Sequence, residues 1–550
     1  MTRAQHLGSS LLRRRGVLAL GGGVVGGIAL GRPPVDGAAI QARVTQKPVQ
    51  RSTPGLLPTR DAVTHVQCGD VTPTSAVLWA RGEAPGNLQV RLSSGGRVLG
   101  TRVGPTANAG SDLTARLAVA DLEPGREYEA ELWFAGSDGS LGEPRTVAFS
   151  TPSTSPAATT FAWSGDTCGQ GYGINPDVGG LVGYGAVADL RPDVFIHCGD
   201  NIYADEPITD TVLEPDGSVW RNVVTEQVGR PAQTLEEFRG RYRYVLLDEN
   251  VRRLHAQVPV ISQWDDHETT NNWYPGERID NDRAFAPYTD ELDVDTLARM
   301  GRQAFGEYMP IGQQHLLGRG STGFAEKGLY RKVARGAHLD VFCLDQRTFR
   351  GSNEDAATAE GSVASMGEEQ VEWLIREVTA SRATWKVISA DQPLALAPRR
   401  DFDYDGIGNN DSGVPRGREH EIARVLSAFK AAGVRNVVWI TADVHFTAAH
   451  HFSPERADFT DFDPFWEFVA GPLAASSFRT TEVDGTFGAR QVFARGNPGR
   501  SRRAPTPELT FVGHGSIDAD GRLRVELRDG TGAVLHSVDL EPERAVTPRA

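Results

Sequence analysis

Four short stretches of this chain combine carboxylates with imidazole, phenol or thiol groups. They are Gly165-Asp166-Thr167-Cys168-Gly169, Gly199-Asp200-Asn201-Ile202-Tyr203, Trp264-Asp265-Asp266-His267-Glu268 and Asp443-Val444-His445. Such donors suit a hard-to-borderline cation such as iron, manganese, zinc or calcium. Carboxylates gathered in one partly desolvated pocket repel and raise one another's pKa, and a divalent or trivalent cation removes that penalty. Two or three cations about 3.5–4 Å apart can bind a phosphate, lower the pKa of a bound water and steady a leaving oxygen. Serine-hydrolase and zinc-protease chemistry lack their signatures, since the chain has no Gly-x-Ser-x-Gly and no His-Glu-x-x-His.

Each stretch directly follows an apolar run, which is where α/β folds assemble their sites. The runs are Thr160–Ser164, Val194–Cys198, Val258–Ile261 and Val437–Thr441, joined by Leu339–Leu344 and Trp385–Ile388. Near-continuous apolar runs mark strands buried on both faces. Between them lie helical patterns. Val371, Leu374, Ile375 and Val378 follow a capping-box pair, Ser365 and Glu368. Ile422, Val425, Leu426 and Phe429 repeat the spacing ahead of Gly433, at a C-terminal cap position. Strand–helix alternation of this kind predicts an α/β layer structure built from βαβ units. Ahead of it, residues 61–153 show short alternating strands separated by turns such as Pro85-Gly86-Asn87, the pattern of an all-β sandwich. Leu122–Tyr128 resembles the turn-plus-tyrosine element of fibronectin type III-like domains. The expected division is a catalytic domain over 157–515, with β strands over 516–550 completing it.

The chain has 550 residues, with 57 basic against 71 acidic side chains and a net charge of −14. That balance argues against nucleic acid or an anionic membrane surface as the main partner. Four cysteines exclude a disulfide scaffold. Residues 1–40 read as a secretory signal. Arg13-Arg14-Arg15 precede a weakly apolar, glycine-diluted stretch and then small residues, the twin-arginine pattern. Residues 41–60 read as a linker. The expected location is therefore secreted, periplasmic or cell-wall associated, reached through the twin-arginine export machinery.

Together the Gly199–Tyr203, Trp264–Glu268 and Asp443–His445 stretches, with Leu344-Asp345-Gln346-Arg347 and the preceding sandwich, resemble the alkaline phosphatase D (PhoD-like) branch of the metallophosphatase superfamily. The resemblance implies a four-layer metallophosphatase-like sandwich. It implies hydrolysis of phosphate mono- or diesters by a metal-activated hydroxide, with Fe3+ and Ca2+ as cofactors and Zn2+ or Mn2+ as other candidates. It further implies that Asp200 bridges metals, Tyr203 ligates ferric iron, Asp266 takes an asparagine ligand's place, His267 assists the leaving group, and Asp443 and His445 close the cluster. The family's first strand commonly ends in a cysteine ligand. Here position favours Asp166, with Cys168 as the second candidate. A phospholipase D-like phosphodiesterase is the alternative within the class. A non-catalytic calcium- or carbohydrate-binding surface protein is the alternative outside it.

Other residues carry two readings. Arg347 is a candidate phosphate contact or an ion-pair partner of a nearby carboxylate. Asn271 and Asn272 are candidates to supply an amide or orient His267, or simply form a turn. Asp401–Gly406 imitates the start of a calcium loop, but the twelfth position is Ser412, so it reads as an acidic loop. His197, His338, His450 and His451 read as structural or surface residues, and Cys198 and Cys343 as small hydrophobes, while Cys68 lies in the sandwich, far in sequence from any partner.

Overall fold

The apolar runs become the centre of a nine-stranded sheet. Thr159–Ser164, Phe195–His197 and Val260–Ser262 lie parallel, with Ala162 and Val260 both in register with Phe195. On one side the sheet continues antiparallel through Phe511–Ile517, Leu523–Asp529 and Val534–Leu540. On the other it continues through His65–Gly69, Ala76–Arg81 and Thr114–Val119. A second sheet of seven strands runs in the order Arg331–Ala334, Leu339–Cys343, Trp385–Ser389, Val437–Thr441, Phe465–Val469, Thr447–Phe452 and Ala489–Arg495. This computed structural model describes residues 65–137, 141–279, 288, 292–316, 328–354, 359–396, 405–410, 412–499 and 501–543. The expected signal and linker, 1–60, and residues 401–404 of the acidic loop lie outside the described residues.

The two sheets stack face to face. Phe161, Trp163, Ile196 and Ile261 of the first pack with Val341, Val387, Ile440 and Phe468 of the second. The opposite face of the nine-stranded sheet is covered by the helices Val182–Leu190, Leu235–Val245, Glu249–Gln257 and Val294–Tyr308. The opposite face of the seven-stranded sheet is covered by Glu368–Ala380 and Glu419–Ala431. The result is a helix–sheet–sheet–helix sandwich, which explains strands apolar on both sides. Gly513 lies opposite Trp163, and a Cβ there would sit 2.2 Å from the indole, so the absent side chain makes room for the ring.

The N-terminal region is a β-sandwich, but its first sheet is not separate. His65–Gly69, Ala76–Arg81 and Thr114–Val119 are the edge of the nine-stranded sheet, and Gly69 pairs in parallel with Val260. Facing them is a four-stranded sheet of Arg97–Ala107, Gly86–Ser94, Glu127–Ala135 and Arg145–Ser150. Leu78, Leu88, Val90, Leu132 and Phe149 fill the space between. The Tyr128 hydroxyl accepts from the Glu123 N–H at 2.8 Å, closing the turn-plus-tyrosine element.

One predicted cap is corrected. Gly367, with φ 79°, is the N-cap of Glu368–Ala380, and no side chain of that segment caps it. Instead the buried Glu421 carboxylate accepts from the N–H groups of Ser365, Met366 and Gly367. A carboxylate reaching across from the neighbouring helix satisfies three donors, which the local Ser–Glu spacing could not reveal. Gly433, with φ 66°, follows Glu419–Ala431, as expected of a left-handed cap. No helix among the described residues is long and apolar enough to cross a membrane.

The sandwich is also tied to the second sheet by a buried ion pair. Arg331 Nε donates to both oxygens of Asp70 at 3.1 and 3.0 Å, and Nη2 donates to Oδ1 at 2.8 Å. Asp70→Asn keeps a side chain that tolerates the φ of 44° at this position. It leaves the Arg331 cation buried without its counter-charge, a change worth about 3–5 kcal/mol. Denaturant unfolding should therefore give a stability lower by that amount, and added salt should not restore it.

Candidate metal centre

The strand ends share an unusual backbone. Asp166 (φ 67°), Asp200 (φ 52°), Asp443 (φ 62°) and His445 (φ 58°) all occupy the left-handed region. Non-glycine residues adopt it rarely, Asp and His among the more tolerant, and such strain concentrates at functional sites. Gly199, with φ 115°, lets the second loop pass the third, since a Cβ there would lie 2.6 Å from Cβ of Asp265. These turns carry residues from both sheets into one buried cluster.

Three sets of donor atoms result, each with all its atoms within 4.8 Å of one another: Asp166, Asp200 and His445; Asp200, Asp266 and His267; and Asp265, Asp266 and Asp443. Asp200 and Asp266 each belong to two sets. Asp166, Asp200 and Asp266 are at most 2% exposed. Asp166 Oδ2 and Asp266 Oδ1 are buried without a hydrogen-bond partner. A buried carboxylate oxygen with no donor is costly, so its lone pairs fit a cation. Burial, together with the neighbouring carboxylates Asp265 and Asp266, holds Asp166 and Asp443 well above the usual carboxylate range. Asp200 is pushed the same way by burial and Asp266, against the pull of His267. For Asp266, burial raises the pKa, but His267 and Arg347 outweigh it and the group lies below its ordinary value.

His445 is set as a neutral imidazole. Its Nδ1 lies 2.6 Å from the Ser476 carbonyl, which can only accept, so Nδ1 carries the proton. Nε2 then presents its lone pair toward the Tyr203 hydroxyl at 2.7 Å and Asp166 Oδ1 at 3.7 Å. Burial pushes the imidazolium pKa down to about 3, so the ring stays neutral. His267 is held the other way. Burial disfavours its charge, but Asp205, Asp266 and Asp200 together raise its pKa well above the ordinary value. Its Nδ1 donates to Asp205 Oδ1 at 2.7 Å, and its ring stacks on Tyr203 at 4.0 Å. Burial, then Asp200 and Asp166, raise the Tyr203 phenol pKa.

Several expected residues stand elsewhere. Cys168 packs among Tyr184, Ile202 and other buried apolar groups and belongs to none of the donor sets, so the Asp166 reading fits this loop. Arg347 is fully buried, with Nε on Asp265 at 2.5 Å and its terminal nitrogens on both oxygens of Asp405 at 2.8 and 3.0 Å. Its donors are spent on carboxylates, and the ion-pair reading replaces the phosphate contact. Asp405 of the acidic loop thus belongs to a buried network that also includes Arg350. Asn271 and Asn272 act through their backbone. Their N–H groups donate to Asp205 Oδ2 at 2.8 Å and Asp266 Oδ2 at 2.6 Å. Glu268 accepts from Asn201 and from the Asp265 N–H, which locks two of the loops together.

Two residues were missed. Asp205, two positions beyond Tyr203, orients His267. Asp391 follows the strand Trp385–Ser389 and is buried with both oxygens lacking a hydrogen bond, 3.6 Å from Arg347. The signal that found the other clusters, an apolar run ending in a carboxylate, is present there too.

Proton linkage gives a direct test. Carboxylates whose pKa lies above the usual range hold protons that a cation must displace. Metal uptake by the demetallated protein should release protons near neutral pH, and affinity should fall as pH falls. Titration calorimetry in buffers of different ionisation enthalpy should register that release, and its absence would contradict the assignment.

The sequence signature described as PhoD-like phosphatase matches residues 161–528. Alkaline phosphatase D of Bacillus subtilis (strain 168) is 27% identical over 338 residues, which is 59% of this chain and 52% of that protein. The chain thus spans about half the length of this curated relative. Among solved structures, one described as the structure of PhoD superposes with a TM-score of 0.64 at 18% identity, covering 88% of this chain and 92% of that one. The purple acid phosphatase PPD1 from yellow lupin seeds superposes with a TM-score of 0.51 at 11% identity, covering 86% and 73%. Both share the layered fold described above. With about two thirds of its length under that signature, the chain belongs to the PhoD-like phosphatase family.

Proposed function

We propose that this protein is an exported, metal-dependent phosphoesterase acting on phosphate monoesters and diesters. The observation that carries the reading is the convergence of three buried donor sets joined through Asp200 and Asp266. Bound cations at such a site supply charge for the phosphoryl oxygens and lower the pKa of water. The chain's own residues do the rest. Asp200 and Asp266 hold adjacent sets together. Asp205 keeps His267 oriented and cationic, so that the imidazolium donates to the leaving oxygen. Ser476 fixes the His445 tautomer. Arg347 neutralises Asp265 and leans on Asp266, 3.8 Å away, which restrains their repulsion.

The donor chemistry supports ferric iron beside calcium. Phenol, imidazole and carboxylate meet around Asp166, Tyr203 and His445, whereas Asp265, Asp266 and Asp443 offer oxygen alone. Export by the twin-arginine route is supported by Arg13-Arg14-Arg15 and the glycine-diluted apolar stretch after them.

The purified protein should hydrolyse 4-nitrophenyl phosphate and bis(4-nitrophenyl) phosphate, and exhaustive chelation should abolish both activities. His267→Ala should lower kcat by about 10²–10⁴-fold. Activity untouched by both treatments would sink the proposal. In the as-isolated protein a tyrosinate-to-iron absorption band should be visible, and Tyr203→Phe should remove it while leaving the far-ultraviolet circular dichroism unchanged.

A further inference from the structure

Arg347 is consumed by carboxylates, which leaves open which protein cation meets an anionic substrate. A second arginine is placed to do so. Ser477 and Arg503 form an antiparallel pair, exchanging N–H···O bonds of 2.9 and 3.3 Å. The next residues along the pair, Phe478 and Arg502, therefore face each other and point to the side opposite Ser477 and Arg503. Arg503 turns away from the metal centre, with its Nε 3.3 Å from Glu214 and Nη2 bonded to Asp216. Phe478 turns toward it. Its ring lies flat on His445, with centroids 4.5 Å apart and an interplanar angle of 6°.

Arg502 shares that side. It is exposed, and among the described residues it makes no ion pair. Its charge reaches the site: burial raises the Glu206 pKa to about 7, and Arg502 is among the groups that draw it down. Glu206 is bonded by the Gln170 N–H, and Gln170 accepts from the Ser476 hydroxyl at 3.0 Å, beside the carbonyl that orients His445. The reacting phosphate must reach Asp166, Asp200 and Asp266, each at most 2% exposed. An exposed guanidinium on the side of the pair that carries Phe478 is then available to the part of the substrate trailing from the phosphorus. In a chain of net charge −14, whose overall field repels anions, a local unpaired cation at the mouth selects for them.

We infer that Arg502 is a specificity-determining residue that holds a second anionic group, carried on the alcohol portion of the phosphoester, at the mouth of the metal centre. This rests on the phosphoesterase reading above. The geometry favours substrates whose leaving group bears its own carboxylate or phosphate over those with a neutral leaving group.

The test compares phenyl phosphate with 4-carboxyphenyl phosphate on the metal-loaded full chain. The wild type should have the lower KM for the carboxylated ester. Arg502→Ala should raise that KM by about fivefold and the KM for phenyl phosphate by less, so that the difference between the two esters narrows. Arg502→Lys should restore most of the difference, and Arg502→Glu should reverse the preference. Equal changes for both esters, or none, would overturn the role of Arg502 while leaving the phosphoesterase reading intact. A wild type that turns over neither ester would overturn that reading and this inference with it.

Discussion

The structure depends on the repulsion among carboxylates buried together. Asp166, Asp200, Asp265, Asp266, Asp391 and Asp443 lie at the meeting point of two sheets, nearly all removed from water. Desolvation alone makes such a gathering costly. One compensation is built in, the fully buried Arg347 with its bonds to Asp265 and Asp405. It does not suffice, because Asp166 and Asp391 retain buried oxygens with no donor. Such an arrangement fits cations, and the layer of polar groups around it holds the carboxylates and imidazoles in place.

That layer is extensive. Asp205 bonds His267, the Ser476 carbonyl fixes His445, and the Asn272 N–H steadies Asp266. Glu268 binds two loops that leave different strands. Stacked rings restrict both imidazoles, Tyr203 on His267 and Phe478 on His445. Two histidines of one site are held in opposite charge states. Burial and the neighbouring His267 charge keep His445 neutral, whereas three carboxylates around His267 outweigh its burial.

Much of this was legible in the residues. Strands buried on both faces read as continuous apolar runs, and the donors sit where each run stops, so Asp200, Asp266 and His445 could be named from the chain alone. What escaped depends on approach through space. Glu421 caps a helix more than fifty residues upstream, as the 55-residue separation from Met366 attests. Arg347 could be placed near carboxylates, yet only three dimensions show that every arm is occupied. Position along the chain favoured Asp166 over Cys168, but a left-handed turn at each sets which side chain enters the cluster, and that turn is not readable from spacing. Asp391 obeys the same pattern as its neighbours, standing just past the end of the apolar strand Trp385–Ser389. The boundary of the sandwich was obscured for a different reason: alternation within strands reveals a sheet, but not which other strands it joins.

That junction has a consequence for biogenesis. The central sheet draws its strands from both extremes of the described chain, with His65–Gly69 beside Val260–Ser262 and Phe511–Ile517 beside Thr159–Ser164. As the polypeptide emerges from a ribosome, the strand that leads to Asp166 can pair early with Phe195–His197, but its other edge stays open until Phe511–Ile517, near the end of the described chain, has been made. Folding of the layer that carries the ligands is therefore a late, post-translational event dominated by long-range pairing, which is intrinsically slow. Until then the growing chain exposes an apolar edge and needs shielding from other copies of itself.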